Sequence, residues 1–188
     1  MDGGYHPTFG DRLRRRTRHR LLERLRSIVA PAGARLLDLG GGSGVTTVAF
    51  GDGARELYVL EPDSRKSERG VRAGAPVTFV NGVAEAIPFE EGRFDRVVSL
   101  MSFHHFSDGD TACREAARVL APNGRFVVYD IHRSSLAARW LSAFARHRGH
   151  SASGFATAEE LAQKLGNAGF HDVRREPYRS GSFVVGVR

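Results

Sequence analysis

A buried strand that ends in a cluster of glycines is the feature that most constrains this chain. Residues 37–44 read Leu-Asp-Leu-Gly-Gly-Gly-Ser-Gly. Glycines at a strand end let the backbone turn sharply and approach a ligand closely. The spacing from Gly40 through Gly42 to Gly44 is G-x-G-x-G, and Val45 stands where the dinucleotide fingerprint needs Gly or Ala. No P-loop sequence is present either. The loop therefore predicts a ligand site that is neither of these two phosphate-binding types.

Short apolar runs alternate with helical stretches along the chain. The runs that predict strands are residues 35–39, 57–61, 77–80, 94–100, 125–129, 170–174 and 182–187. Helical spacing predicts helices over residues 11–29, 63–73, 110–120, 136–144 and 157–168. Strands separated by helices favour right-handed βαβ units, and the short gap between the last two strands favours a hairpin. The pattern predicts an α/β, Rossmann-like fold whose seven-stranded sheet is mostly parallel, with an antiparallel last strand and helices on both faces.

An acidic residue at the end of the second predicted strand indicates which class of ligand the site binds. Glu61 ends that strand and follows Gly44 by 17 positions. A carboxylate there can accept two hydrogen bonds from a ribose diol, which is the role of the acid in dinucleotide-binding folds. Together with the glycine loop, Glu61 predicts a nucleoside site with poor provision for a pyrophosphate.

Composition limits the class of protein. Hydrophobic residues make up 41% and charged residues 26% of the 188, and no run approaches the ~20 apolar residues of a membrane helix. The single cysteine, Cys113, excludes an intrachain disulfide and a cysteine-based metal site, and core packing is its expected role. We therefore expect a globular protein in a reducing, cytoplasmic setting.

The positive charge is concentrated near the N-terminus. The net charge is +7, and residues 1–26 hold eight arginines against three acidic residues. This distribution divides the chain into a basic arm and helix at residues 1–30 and a single domain at residues 31–188. Two interpretations of the helix remain open. In the first, its leucines dock on the sheet or cover the bound ligand while the arginines face solvent. In the second, the arginines recruit an anionic substrate, a membrane surface or RNA.

Several further segments resemble one enzyme family in their order and spacing. Besides the glycine loop they are residues 61–63, 82–89, 94–99, 104–108 and 114–125. The chain resembles the class I S-adenosylmethionine-dependent methyltransferases, in the small-molecule, type 11-like branch that includes ubiquinone/menaquinone-type C-methyltransferases. The resemblance implies methyl transfer from S-adenosylmethionine to a small or lipid-like acceptor. The alternatives are an RNA methyltransferase recruited by the basic helix and a non-catalytic S-adenosylmethionine-binding protein.

The resemblance also implies roles for particular residues. The end of the first strand and its loop meet the methionine and ribose parts of the cofactor, and the acid after the second strand holds the ribose hydroxyls. The segment after the third strand lies beside the adenine, and the end of the fourth strand lines the path to the sulfonium. The residues so implied are, in that order, Asp38, Gly40, Gly42, Gly44, Glu61, Ala84, Glu85 and Ser99.

Two positions depart from the family pattern. Val83 stands where the family usually has an acid that contacts the adenine amino group. Lys66 stands where the family often has an apolar residue that packs on the adenine. Both departures bear on cofactor affinity, and Asn81, Glu85 or the stem of Lys66 are candidates to substitute.

Histidines follow the fourth predicted strand, at the sheet edge where an acceptor would lie. His105 and His104 are the candidate catalytic residues, since an imidazole can take a proton from an acidic carbon or a hydroxyl. The other interpretation is that they shape the loop. Asp130 and His132 end the fifth strand and are expected to point toward the same pocket. No metal site is expected, because two adjacent histidines on an extended chain point in different directions.

Overall fold

The computed structural model of the chain describes residues 9–131 and 156–188, with side chains of the first helix described from residue 19. The helices are α1 (Phe9–Val29), α2 (Val45–Gly51), α3 (Ser64–Arg72), α4 (Gly109–Val119) and α5 (Ala158–Asn167). The strands are β1 (Arg35–Leu39), β2 (Glu56–Leu60), β3 (Thr78–Val80), β4 (Phe94–Leu100), β5 (Leu120–Ile131), β6 (His171–Tyr178) and β7 (Gly181–Val187). A 3-10 turn, Phe103–His105, lies between β4 and α4. The helix predicted over residues 136–144 lies outside the described residues.

The seven strands form one sheet in the order β3-β2-β1-β4-β5-β7-β6. Strands β1 to β5 pair with one another in parallel, and β7 is antiparallel to both β5 and β6. This arrangement confirms the predicted fold class, including the antiparallel last strand. The strand order reverses between β1 and β4, and ligands of open α/β sheets bind beside such a reversal, at the carboxyl ends of the strands. The loops after β1, β2 and β4 meet there.

Two strands run further than the sequence pattern predicts. Strand β5 begins at Leu120, directly after α4, because Leu120 pairs with Phe94 ahead of a register shift. Strand β6 continues to Tyr178, since its residues pair with β7 as far as Gly181. Residues 174–176 are charged and Pro177 follows them, which disfavours a strand locally. Pairing with β7 outweighs that local preference at the edge of the sheet.

The core has a layer on each face of the sheet. One layer includes α4 and α5 and contains Cys113, whose thiol has a pKa raised to about 12, above all by burial. The other layer contains Leu25 and Val29 of α1, which are fully buried with Leu36 and Val98 of the sheet. The described end of the basic helix therefore packs on the sheet. Among the helices that the structure describes, none has the length and apolar character of a membrane-spanning segment.

Candidate cofactor and active site

The glycine loop between β1 and α2 has a backbone that only glycine adopts readily. Gly40, Gly42 and Gly44 have φ angles of 73°, 61° and 72°, in the left-handed region. A Cβ on Gly40 would stand 2.7 Å from Ser102 Cβ, which is closer than side chains tolerate. The spacing of the three glycines therefore has a conformational cause, and the loop lies directly against the segment that follows β4.

Asp38, the acid of β1, lies beneath this loop. It is 2% exposed, and the hydroxyl of Thr47 donates a 2.5 Å hydrogen bond to Oδ2. Burial, opposed by the Thr47 hydrogen bond and assisted by the nearby charge of Glu61, raises the pKa of Asp38 to about 7. A Cβ on Gly41 would stand 2.6 Å from the same oxygen, so the loop closes tightly over the carboxylate. Asp38 therefore titrates near neutral pH in the folded protein.

The carboxylate of Glu61 connects the end of β2 to the glycine loop. Glu61 is 2% exposed, and its Oε2 accepts a 3.0 Å hydrogen bond from the backbone N–H of Gly42. Its Oε1 accepts hydrogen bonds from the N–H of Asp63, at 3.1 Å, and from the ammonium of Lys66, at 3.2 Å. The structure thus brings together Gly42 and Glu61, two residues that the sequence assigned to the same ligand.

The segment predicted to lie beside the adenine is hydrogen-bonded to the residues just before α4. Glu85 Oε1 accepts hydrogen bonds from the backbone N–H groups of Ser107, at 2.6 Å, and Asp108, at 3.1 Å. Although burial opposes it, these bonds hold the pKa of Glu85 below its ordinary value. Ala84 is 5% exposed and packs in the core, whereas Val83 is 45% exposed. Contacts of Ala84 and Glu85 with the adenine stay predictions.

A pair of serines joins the ends of β1 and β4. Ser99 is fully buried, and its Oγ lies 2.8 Å from the Oγ of Ser102. Ser102 in turn donates a 2.6 Å hydrogen bond to the carbonyl oxygen of Leu39. Ser102 could not be predicted as a site residue from the sequence, because its partner lies 63 positions away and no motif marks the contact. A direct contact between Ser99 and the cofactor stays a prediction.

His104 is held by Asp130 across the ends of β4 and β5. Its Nδ1 lies 2.9 Å from each carboxylate oxygen, and its backbone N–H donates to Oδ2 at 3.0 Å. Both side chains are 10% exposed. His105 is exposed, and its ring centroid lies 4.0 Å from the ring centroid of His104. His132 lies outside the described residues, and within them no three His, Cys, Asp or Glu side chains are grouped to hold a metal ion.

Comparison with known proteins shows which family the chain resembles. The family described as "Methyltransferase domain" matches residues 37–128. An uncharacterized methyltransferase of Bacillus subtilis, YcgJ, is 39% identical over 104 residues, which is 51% of this chain and 40% of that protein. Its crystal structure aligns with a TM-score of 0.71 at 26% identity, over 84% of this chain and 70% of that one. The chain belongs to the class I S-adenosylmethionine-dependent methyltransferases.

Another relative of this methyltransferase domain is the ubiquinone/menaquinone biosynthesis C-methyltransferase UbiE of Rubrivivax gelatinosus. It is 31% identical over 129 residues, which is 67% of this chain and 50% of that protein. The two curated relatives are therefore matched over half of their own length or less.

The site residues of the methyltransferase domain fit the cofactor of the family. A buried carboxylate at a strand end, Glu61, has the chemistry to accept the ribose hydroxyls. The backbone of Gly42 lies beside it, with only the side chain of Lys66 near the position of a Cβ. When bound, S-adenosylmethionine supplies a methyl group on a cationic sulfur, so the protein's contribution is to bind and orient.

Proposed function

We propose that this chain transfers the methyl group of S-adenosylmethionine to a small or lipid-like acceptor. The observation that carries the proposal is the buried Glu61 carboxylate hydrogen-bonded to the glycine loop at the strand-order reversal. The acceptor class rests on the likeness to a C-methyltransferase of ubiquinone/menaquinone biosynthesis. No contact among the described residues favours the RNA methyltransferase or the non-catalytic binding protein, and both stay hypotheses.

We assign the proton acceptor of the reaction to His104. An acceptor molecule that attacks through an acidic carbon or a hydroxyl must lose a proton, and an imidazole at the sheet edge can take it. The carboxylate of Asp130 holds the ring of His104 in place through its Nδ1, which makes Asp130 a positioning residue. His105 is the alternative base, since it lies beside His104 and is exposed.

An acceptor screen tests the proposal. The wild-type protein is incubated with S-adenosylmethionine and one of several acceptors: phenols, catechols, quinols with and without isoprenoid tails, and total RNA. Formation of S-adenosylhomocysteine above the acceptor-free blank is measured. We expect turnover with a small or lipid-like acceptor and none with RNA. Turnover with RNA alone would refute the acceptor class, and binding of the cofactor without turnover on any acceptor would support the non-catalytic hypothesis.

With an acceptor from that screen, Asp130→Asn is expected to lower kcat about tenfold, because an amide orients the ring of His104 less strictly than the carboxylate does. The KM for the acceptor and the Kd of S-adenosylhomocysteine are expected to stay unchanged. The matched control is Asp172→Asn, which alters an exposed His–Asp pair on β6. Parallel losses in kcat and in cofactor affinity would show that Asp130 only maintains the loop.

A further inference from the structure

The carboxylate of Glu61 already accepts three hydrogen bonds from donors of this chain. A carboxylate has about four acceptor positions, two on each oxygen. The N–H of Asp63 and the ammonium of Lys66 use the two positions on Oε1, and the N–H of Gly42 uses one on Oε2. A ribose diol donates two hydroxyl hydrogens, so it needs one position more than these contacts leave. One of the three donors must move away when a diol binds.

Lys66 is the donor that can move. The N–H groups of Gly42 and Asp63 are backbone atoms fixed by the left-handed turn and by the cap of α3. The Lys66 side chain is 47% exposed and has a flexible four-carbon stem. Its Cδ lies 4.0 Å from the point where a Cβ on Gly42 would stand, so the stem crosses the glycine loop on its way to Glu61. The ammonium therefore lies where the ribose hydroxyls are proposed to bind.

We propose that Lys66 competes with the ribose hydroxyls for Glu61 and so lowers the affinity of the site for its cofactor. This inference rests on the proposed function, which puts an adenine nucleoside in that site. The bound ribose replaces the ammonium at Oε1, and the cost of breaking the ion pair is subtracted from the binding free energy. A side chain of similar length without charge removes that cost.

Titration calorimetry of S-adenosylhomocysteine into the wild type and Lys66→Met tests the inference. We expect Lys66→Met to bind about two- to fivefold more tightly, the range of a half-exposed ion pair. The control is Arg65→Met, which removes the neighbouring cation that pairs with Asp63 and is expected to bind as the wild type does. Equal or weaker binding by Lys66→Met would overturn the inference while leaving the proposed function standing. Failure of the wild type to bind would overturn both.

A second pair of ligands separates competition from a gain in packing. The methionine introduced by Lys66→Met could also tighten binding through contact with the adenine. Adenosine carries the ribose diol and 2′,3′-dideoxyadenosine lacks it, and each can be titrated by competition against S-adenosylhomocysteine. Competition predicts that Lys66→Met improves the binding of adenosine and leaves that of the dideoxy compound unchanged. An equal gain for both nucleosides would contradict competition at Glu61.

Discussion

Glu61→Gln is expected to weaken the binding of S-adenosylhomocysteine by about a hundredfold. The glutamine loses the charge that strengthens hydrogen bonds from the ribose hydroxyls, each worth about 1.5–3 kcal/mol. Its amide NH2 must also face one of the donors that now bind Glu61, either the N–H of Gly42 or the donors at Oε1. Because the residue is 2% exposed, water cannot replace the lost acceptor.

Titration calorimetry measures this effect, with Glu68→Gln as the control. Glu68 lies on α3, is exposed and pairs with Arg72 at 2.9 Å, so its substitution is expected to leave the affinity unchanged. Thermal unfolding by circular dichroism shows whether each variant keeps its fold. Unchanged affinity in a folded Glu61→Gln would refute the assignment of Glu61 to the ribose.

Asp38→Asn is expected to change how stability depends on pH. Burial raises the pKa of Asp38 to about 7, from an ordinary value of 3.8. Between those values the folded protein holds a proton that the unfolded chain releases, so this group's contribution to stability falls as pH rises from about 4 to about 7 and is constant above. The asparagine side chain does not titrate and keeps an oxygen for the Thr47 hydroxyl. The free energy of unfolding of Asp38→Asn minus that of the wild type should therefore increase by about 3 kcal/mol from pH 5 to pH 8.

Urea unfolding at the two pH values measures that relative gain. Asp95→Asn is the control with the opposite shift, because hydrogen bonds from Arg35, opposed in part by burial, hold the pKa of Asp95 at about 2. Asp95 stays ionised across the range, so its variant should differ from the wild type by the same amount at both pH values. A pH-independent difference for Asp38→Asn would mean that Asp38 is ionised throughout.

The buried strands and the parallel sheet could be predicted from local sequence patterns. Buried strands of five to seven residues, such as β1 and β4, read as apolar runs, and their alternation with helices determines a parallel sheet. The extent of β6 was not predictable, because Pro177 and its charged neighbours carry no strand signal and pair with β7 only through the tertiary fold.

The candidate site also has a part that the sequence predicts and a part that it does not. Gly40 and its partner glycines are required by backbone angles that any such turn imposes, and Glu61 is recognisable as an acid at a strand end. The hydrogen bonds from Ser102 to Leu39 and from Ser107 to Glu85 depend on which loops meet in the tertiary structure. These contacts join residues 63 and 22 positions apart, so no local pattern marks them.

Titration of S-adenosylhomocysteine into the wild-type chain shows whether the glycine loop and Glu61 bind the cofactor. We expect one saturable site per chain. We also expect adenosine to compete for this site, because its ribose hydroxyls are proposed to bind at Glu61. An absence of binding by S-adenosylmethionine and S-adenosylhomocysteine at millimolar concentration would contradict the claim that the glycine loop and Glu61 form a cofactor site.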